Sequence, residues 1–549
     1  LYAGLSEPER VRVHEQVGHA LEALFGVDAD AHLDELAYHF HRAASAGDVQ
    51  RAVTYCSRAA GQAFGLLAFE QAVLNYRRAL DALCCRLPID ELQRFELKLA
   101  LGSAQFRAGE DGNPTLLGAA EIARRLERPE LLAKVVLAMT GWPRLRTRGR
   151  TNNHALYPLL AESIALTHND TSALRVRLLS ALALNCPGDT PLSVQLTHGR
   201  EALELARGVG DDEALYDALL ARLYLMQEPE DTARRLGLTG ELLEVAQRIG
   251  QKERMFTAHE LRVQPLIALG DVTTADREIA ACVELADELR LPGCRLQVLR
   301  FQMERALGDG RFDEIRPLTD EAVRVRGRAE ATPGYLATFF VWSTYERTMR
   351  GKRAWFDRNI GRMVRGGPLT PLMRGHLAFV YASFGQFEQA RSAYAPLLEP
   401  GALDATRADN KPFLFVLLAD AAYACGDRAA AAELYPRLAP YAALNAAHFE
   451  LWVYFGSCAH WLGLLAALLG EPKLAAAYFE TALEFNASLG ARPALARTSL
   501  AYARTLLRSG GSLPRSVAAH ARSLLRDATA LAEQLELRPL LREAQQLAD

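Results

Sequence analysis

A glycine-anchored pattern recurs three times in the C-terminal half of the chain and narrows what it can fold into. Gly385 is followed at +5, +9 and +12 by Ala390, Tyr394 and Leu397. Gly426 is followed at the same offsets by Ala431, Tyr435 and Leu438, and Gly470 by Ala475, Phe479 and Ala482. Eight and seven residues before each glycine stand Leu377-Ala378, Leu418-Ala419 and Leu462-Gly463. A large–small pair, a glycine turn, then small–aromatic–small at helical spacing is the pattern of helix hairpins stacked in an array. The small residues let the two helices of a hairpin approach, and the aromatic fills the gap to the next hairpin. The expected fold is all-α, a tetratricopeptide-like α-solenoid built as a right-handed superhelix of helix hairpins.

Weaker copies extend the pattern. Gly47, Ala52, Cys56 and Ala59 repeat the offsets, as do Gly270, Ala275, Ile279 and Cys282. Ala72, Tyr76 and Ala79 repeat the second-helix portion, and Leu101-Gly102 with Gly109 supplies a first helix and turn. Degraded turns at Gly310 and Gly351 continue the series, with poor matches in the helices that follow. Spacings from Gly270 onward are 40, 41, 34, 41 and 44 residues. A tetratricopeptide unit has about 34, so most units here carry longer helices or loops, and the chain has room for roughly 13 hairpins. No convincing run of alternating β-branched residues between turn signals predicts a strand.

One stretch breaks the texture: Gly141-Trp142-Pro143-Arg144-Leu145-Arg146-Thr147-Arg148-Gly149-Arg150-Thr151-Asn152-Asn153. Glycine, proline and paired asparagines end a helix. The expected organisation is N-terminal hairpins over 1–140, a basic Gly/Pro/Asn loop over 141–155, and a repeat array over 156–549.

Half of the 549 residues are hydrophobic, which excludes a disordered chain. The formal net charge of −3 provides no global field for nucleic acid or an anionic membrane. The eight cysteines are scattered, without C-x-x-C, and Cys84-Cys85 are adjacent. They read as free thiols in a reducing compartment, and the expected location is the cytoplasm. Leu5 precedes Ser6-Glu7-Pro8-Glu9, a capping box with proline in the first turn, so a helix is expected at once. With Leu at position 1 and no signal peptide, the chain reads as part of something longer upstream. Leu451 to Gly470 is twenty residues without Asp, Glu, Lys or Arg. It contains Ser457, His460 and three glycines and lies in the clearest repeat, so a buried solenoid helix is expected rather than a membrane span.

The signatures of catalysis are missing. His14-Glu15-Gln16-Val17-Gly18-His19 has its histidines five apart, which separates them by about 140° on a helix, whereas zinc ligation needs a spacing of four. His32 and His39 share a helix face two turns apart, with His41 off it, and these read as ordinary partly buried histidines. Gly351-Lys352-Arg353 lacks the spacing and hydroxyl of a P-loop, and no G-x-G-x-x-G, G-x-S-x-G or catalytic cysteine signature occurs. No cofactor or metal is expected in this segment.

The one electrostatic anomaly is the basic loop. No acid lies between Glu130 and Glu162, while Lys134, Arg144, Arg146, Arg148 and Arg150 give +5. Alternating arginines are suited to a phosphate or an acidic partner surface. Without interleaved aromatics they do not form a base-stacking row. A solvated connector is the plainer reading of the same residues.

Further motifs carry a resemblance. Leu1-Tyr2-x-x-Leu5-Ser6-x-x-Glu9-Arg10-x-x-x-His14, Leu36-Ala37-Tyr38-His39-Phe40 and Ala52-Val53-Thr54-Tyr55 open it. Leu174-Arg175-Val176-Arg177-Leu178-Leu179 and Leu269-Gly270-Asp271 continue it, and Gly490-Ala491-Arg492-Pro493, Ala496-Arg497-Thr498 and Tyr502-Ala503 end it. The chain resembles the tetratricopeptide region of large bacterial STAND or AAA-like ATPase signalling regulators. These include relatives of the maltose-regulator and LuxR-type activators and class III nucleotidyl cyclases fused to an ATPase. The resemblance implies a non-catalytic sensor and protein-docking arm for signal transduction or transcription regulation. An ATPase domain, with its ATP, would lie upstream in cis. A protein partner or small inducer would sit on the concave face, with no direct contact to nucleic acid or membrane. Two alternatives are a free-standing tetratricopeptide scaffold and the repeat region of an ATPase-fused adenylate or guanylate cyclase.

Overall fold

The computed structural model describes residues 4–46, 48–140, 155–167, 172–187, 190–226, 231–326, 333–358, 369–403, 411–448, 453–508 and 514–548. They form two compact units, Leu1–Leu225 and Met226–Asp549. In unit 1 the α-helices are α1 (Glu7–Phe25), α2 (Leu33–Ala43), α3 (Val49–Gly65), α4 (Phe69–Leu83), α5 (Glu91–Ala108) and α6 (Asn113–Arg125). They continue with α7 (Pro129–Met139), α8 (Leu156–Leu166), α9 (Ala173–Asn185), α10 (Leu192–Val209) and α11 (Asp212–Leu225). Each packs on the next, and α9 also packs on α7 and α11.

Unit 2 opens with α12 (Thr232–Ile249), α13 (Lys252–Leu269), α14 (Val272–Leu289), α15 (Pro292–Asp309), α16 (Ile315–Arg326) and α17 (Pro333–Met349). After the helical stretch α18 (353–358) come α19 (Pro371–Ser383), α20 (Phe387–Tyr394), α21 (Lys411–Cys425) and α22 (Arg428–Leu438). It ends with α23 (Cys458–Leu469), α24 (Pro472–Ser488), α25 (Arg492–Arg508), α26 (Arg515–Gln534) and α27 (Arg538–Ala548). Contacts between neighbours and next-neighbours, such as α19 with α20 and α21, make this an all-α hairpin array.

The glycine turns close alike. Gly385, Gly426 and Gly470 take φ of +73°, +66° and +92°, the left-handed region that other residues enter at a cost. The next N–H then donates back five residues: Gln386 to Tyr381 O, Asp427 to Ala422 O and Glu471 to Ala466 O, each at 2.9 Å. This satisfies carbonyls that the helix end would leave bare. Gly310 and Gly351, whose following helices match poorly, close in the same manner through Arg311 and Lys352. So do Leu67, Glu127 and Glu536, with φ of 62°, 55° and 54° and no glycine.

The opening of α1 follows its sequence: the Ser6 N–H donates to Glu9 Oε2 at 2.8 Å and Pro8 lies in the first turn. The stretch 451–470 departs from expectation. Among its described residues Cys458–Leu469 is the helical part, and Val453–Ser457 (β2) pairs antiparallel with Asn445–His448 (β1). Gly456, at φ +105°, interrupts any helix, and Ser457 caps the new one by accepting from the Ala459 N–H at 3.3 Å. Val453-Tyr454-Phe455 is a β-branched and aromatic run, too short to register as a strand by itself. Among the described residues no helix is long and apolar enough to cross a membrane.

The basic stretch 141–154 lies outside the described residues. One apolar cluster in unit 1 includes residues from before and after it, joining Leu132, Val136 and Met139 to Leu156, Leu160 and Leu178. In unit 2 one cluster extends from Phe256 to Leu537, and a smaller one joins Leu500, Ala528 and Ala544.

Candidate functional site

The repeated positions line the packing faces. Ala390, Ala431, Ala475 and Phe479 are fully buried, Tyr394 nearly so, and Tyr435 half-buried. A Cβ on Gly463 would fall 2.6 Å from the Phe479 ring, so the small residue of α23 admits the aromatic of α24. Between hairpins, Tyr394 donates to Asp427 Oδ2 at 2.7 Å, and Tyr435 and Tyr478 join hydroxyls at 3.1 Å. Arg391 and Arg428 donate to the C-terminal carbonyls of α21 and α23, Cys425 O and Leu469 O, both at 2.7 Å. A guanidinium there meets the negative end of the helix dipole. Arg144, Arg146, Arg148 and Arg150 lie outside the described residues.

A second set of residues converges inside unit 2. Phe455 of β2 touches Tyr345 of α17, Phe413 of α21 and Phe379 of α19, with centroids 4.2, 5.0 and 5.9 Å apart. Beside these rings Arg497 of α25 donates to Asp420 Oδ1 of α21 at 2.5 Å and lies 5.7 Å over the Trp461 ring. The Trp461 Nε1–H donates to the same Asp420 oxygen at 3.3 Å. Arg504, two turns after Arg497 on the same face, pairs with Glu543 of α27 and donates to the Tyr423 hydroxyl at 3.1 Å. Arg350 bridges Asp313 at 2.8 Å and also Glu536 near α27. Elements distant in sequence are therefore tied together by charge as well as by apolar packing.

Burial sets the electrostatics of this interior. It opposes the Arg497 charge, but Asp420 and Tyr345 outweigh it and hold the guanidinium pKa above its ordinary value. Burial raises the Tyr345 phenol against the pull of Arg497. His460 is held well below the usual imidazole range, first by burial and then by Arg497 and Arg504. It faces the Thr498 hydroxyl at 3.1 Å, which itself donates to Ala494 O at 2.8 Å. Thr498 is fully buried and Cys458 has its thiol pushed up by burial, so neither is poised as a nucleophile. His376, 2% exposed, has no hydrogen-bond partner at either ring nitrogen, and burial lowers its pKa to about 4. Glu304 on α15 is 3% exposed with Oε2 unpartnered, and burial pushes its carboxyl up to about 8.

Glycine periodicity does not find Asp420 or Arg497. A usable signal was present, since Asp420 is the only acid in the otherwise apolar helix Lys411–Cys425. A charge is rarely buried unless it is paired.

The histidines also separate. His19 lies 3.5 Å from Asp48, and His32 stacks on Phe25 at 3.6 Å between centroids. His14 instead meets His39, Nδ1 to Nδ1 at 3.1 Å, a pair that the linear spacing does not reveal.

No family model and no curated protein matches the chain. Among solved structures it is similar to a chain of the APC/C hetero-tetramer Cut9–Hcn1, with 13% identity and a TM-score of 0.45 over 99% of this chain and 97% of that one. Yeast Tom70 gives 12% identity and a TM-score of 0.22 over 93% and 99%. A circular tandem repeat protein gives 14% identity and a TM-score of 0.14 over 99% of each. None of these superpositions bears on function.

Proposed function

We propose that this chain is a non-catalytic protein-interaction and sensor arm of a bacterial ATPase-type signalling regulator, acting through the state of its hairpin array. The observation that supports this reading best is the set of charged ties inside unit 2. Asp420–Arg497 and Arg504–Glu543 connect first helices of different hairpins, and Arg350–Glu536 connects α17 to the turn before α27. An inducer or partner that competes for these groups favours an array with the ties released. A ligand shifts such an equilibrium only by its difference in affinity for the two states. The Arg144–Arg150 loop is the second contact in this reading, taking an anionic surface of the partner.

The reading frame upstream of Leu1 tests the ATPase association. A G-x-x-x-x-G-K-[ST] segment in a nucleotide-binding domain is expected there. A frame without one rejects the ATPase arm, with or without a fused cyclase, and leaves the free-standing scaffold; a cyclase domain beside the motif favours the ATPase-fused cyclase. The role of the ties is tested by Asp420→Asn with Arg497→Gln. Faster hydrogen exchange in α21 and α25 with altered signalling output is expected, and unchanged output despite that opening would reject the mechanism. Replacing the four loop arginines by Ser should weaken partner capture at low salt more than at high salt. Equal capture at both would remove the loop from the contact.

A further inference from the structure

His14 of α1 and His39 of α2 are 25 residues apart in sequence, yet their rings tilt at 50° with centroids 5.0 Å apart. The helices come close because Gly18, one turn beyond His14, faces the Phe40 ring, where a Cβ would sit 3.2 Å away. Two imidazole nitrogens on one tetrahedral zinc ion, each about 2.0–2.1 Å from it, lie about 3.3 Å from one another. The observed Nδ1–Nδ1 separation of 3.1 Å is close to that span. Glu35 lies one turn before His39 on the same face of α2, the i, i+4 spacing by which a helix offers two ligands to one ion. Its carboxylate is 61% exposed and rests 3.8 Å from His32 Nδ1, so little holds it there.

We propose that His14 and His39 form a divalent transition-metal site, of the class that takes Zn2+, clipping α1 to α2 with Glu35 and water completing the coordination. Among the described residues no group of three or more such side chains is already arranged for an ion. Glu35 must therefore turn from His32 as the ion binds. Metal ligation uses the imidazole without its proton, and burial lowers the pKa of both rings, His14 further through His39 and Arg42, His39 against the pull of Glu35. His39 is half-buried and its neighbour Tyr38 is exposed, so an ion reaches the pair from solvent. The exposed Arg42, 5.8 Å from the Tyr38 ring centroid, is the unfavourable neighbour. A direct hydrogen bond between neutral rings gives the same geometry without an ion, and the titration separates the two.

The full chain, stripped with chelator, is titrated with Zn2+ by calorimetry, and with Co2+ while its visible absorption is followed. One equivalent should bind, with a visible Co2+ band. His39→Gln, at the more exposed position, should abolish both signals while the circular dichroism spectrum is kept. Glu35→Gln should weaken binding by about tenfold or more, and Arg42→Gln should tighten it. His19→Gln and His520→Gln control for surface histidines and should bind as wild type. Absence of binding, equal binding by His39→Gln, or a site lost in the surface controls would overturn the proposal.

Discussion

Glu304 and His376 impose opposite pH dependences on the same unit. The Glu304 carboxyl is raised from 4.5 to about 8, so its contribution is complete below the unfolded value and is lost as pH rises through about 8. The His376 imidazole is lowered from 6.5 to about 4, so stability is lost as pH falls from the unfolded value through about 4. Glu304→Gln keeps the shape of the neutral acid and removes its ionisation. Urea midpoints should nearly coincide with wild type at about pH 5, while the variant should be more stable at about pH 8, by on the order of a few kcal/mol. Parallel midpoints across that range would mean that Glu304 is solvated or paired. Ala475 tests the packing register. It is fully buried one turn before Phe479, on the face that meets α23. Ala475→Leu should overpack that contact and cost roughly 1–3 kcal/mol. An unchanged thermal melt would count against the register.

At the scale of elements, the turns explain what the glycine pattern could and could not find. Gly385, Gly426 and Gly470 stand out because left-handed backbone favours the residue without a Cβ. Leu67, Glu127 and Glu536 enter the same region and close the same back-donated bond, so those turns carry no glycine mark. Glu127 is exposed and its backbone pays the left-handed cost. Glu127→Gly should therefore raise unfolding stability by roughly 1 kcal/mol. A denaturant midpoint that stays or falls would show that the unfolded-chain entropy of glycine dominates. The β1–β2 hairpin was concealed for another reason. Gly456 packs so closely that a Cβ would lie 2.6 Å from the Ala494 Cβ, and Asn486 Oδ1 accepts the Ser457 N–H at 2.8 Å. Its strand conformation is held by α24 and α25, which no local window contains.

At the scale of the molecule, each compact unit holds apolar clusters of its own among the described residues. Three in unit 1 lie between Ala29 and Leu182, and two in unit 2 lie between Phe256 and Ala544. A unit with its own core should fold by itself. The fragment Met226–Asp549 should therefore keep its helical circular dichroism and melt cooperatively. A fragment that is unfolded or melts without a transition would show that the unit depends on the rest of the chain.

The sequence by itself determined the helical class, the packing residues of the clearest hairpins and the capped opening of α1. Helical periodicity, glycine in left-handed turns and a capping box act within one or two turns of chain, and a short window contains the whole interaction. Only the tertiary structure decided which distant groups meet. Arg497 reaches Asp420 across 77 residues, Arg504 reaches Tyr423 across 81, and His14 reaches His39 across 25. Burial of a charge is tolerated when a partner arrives from another hairpin. Partner choice then depends on how hairpins stack, a long-range property without a local periodicity.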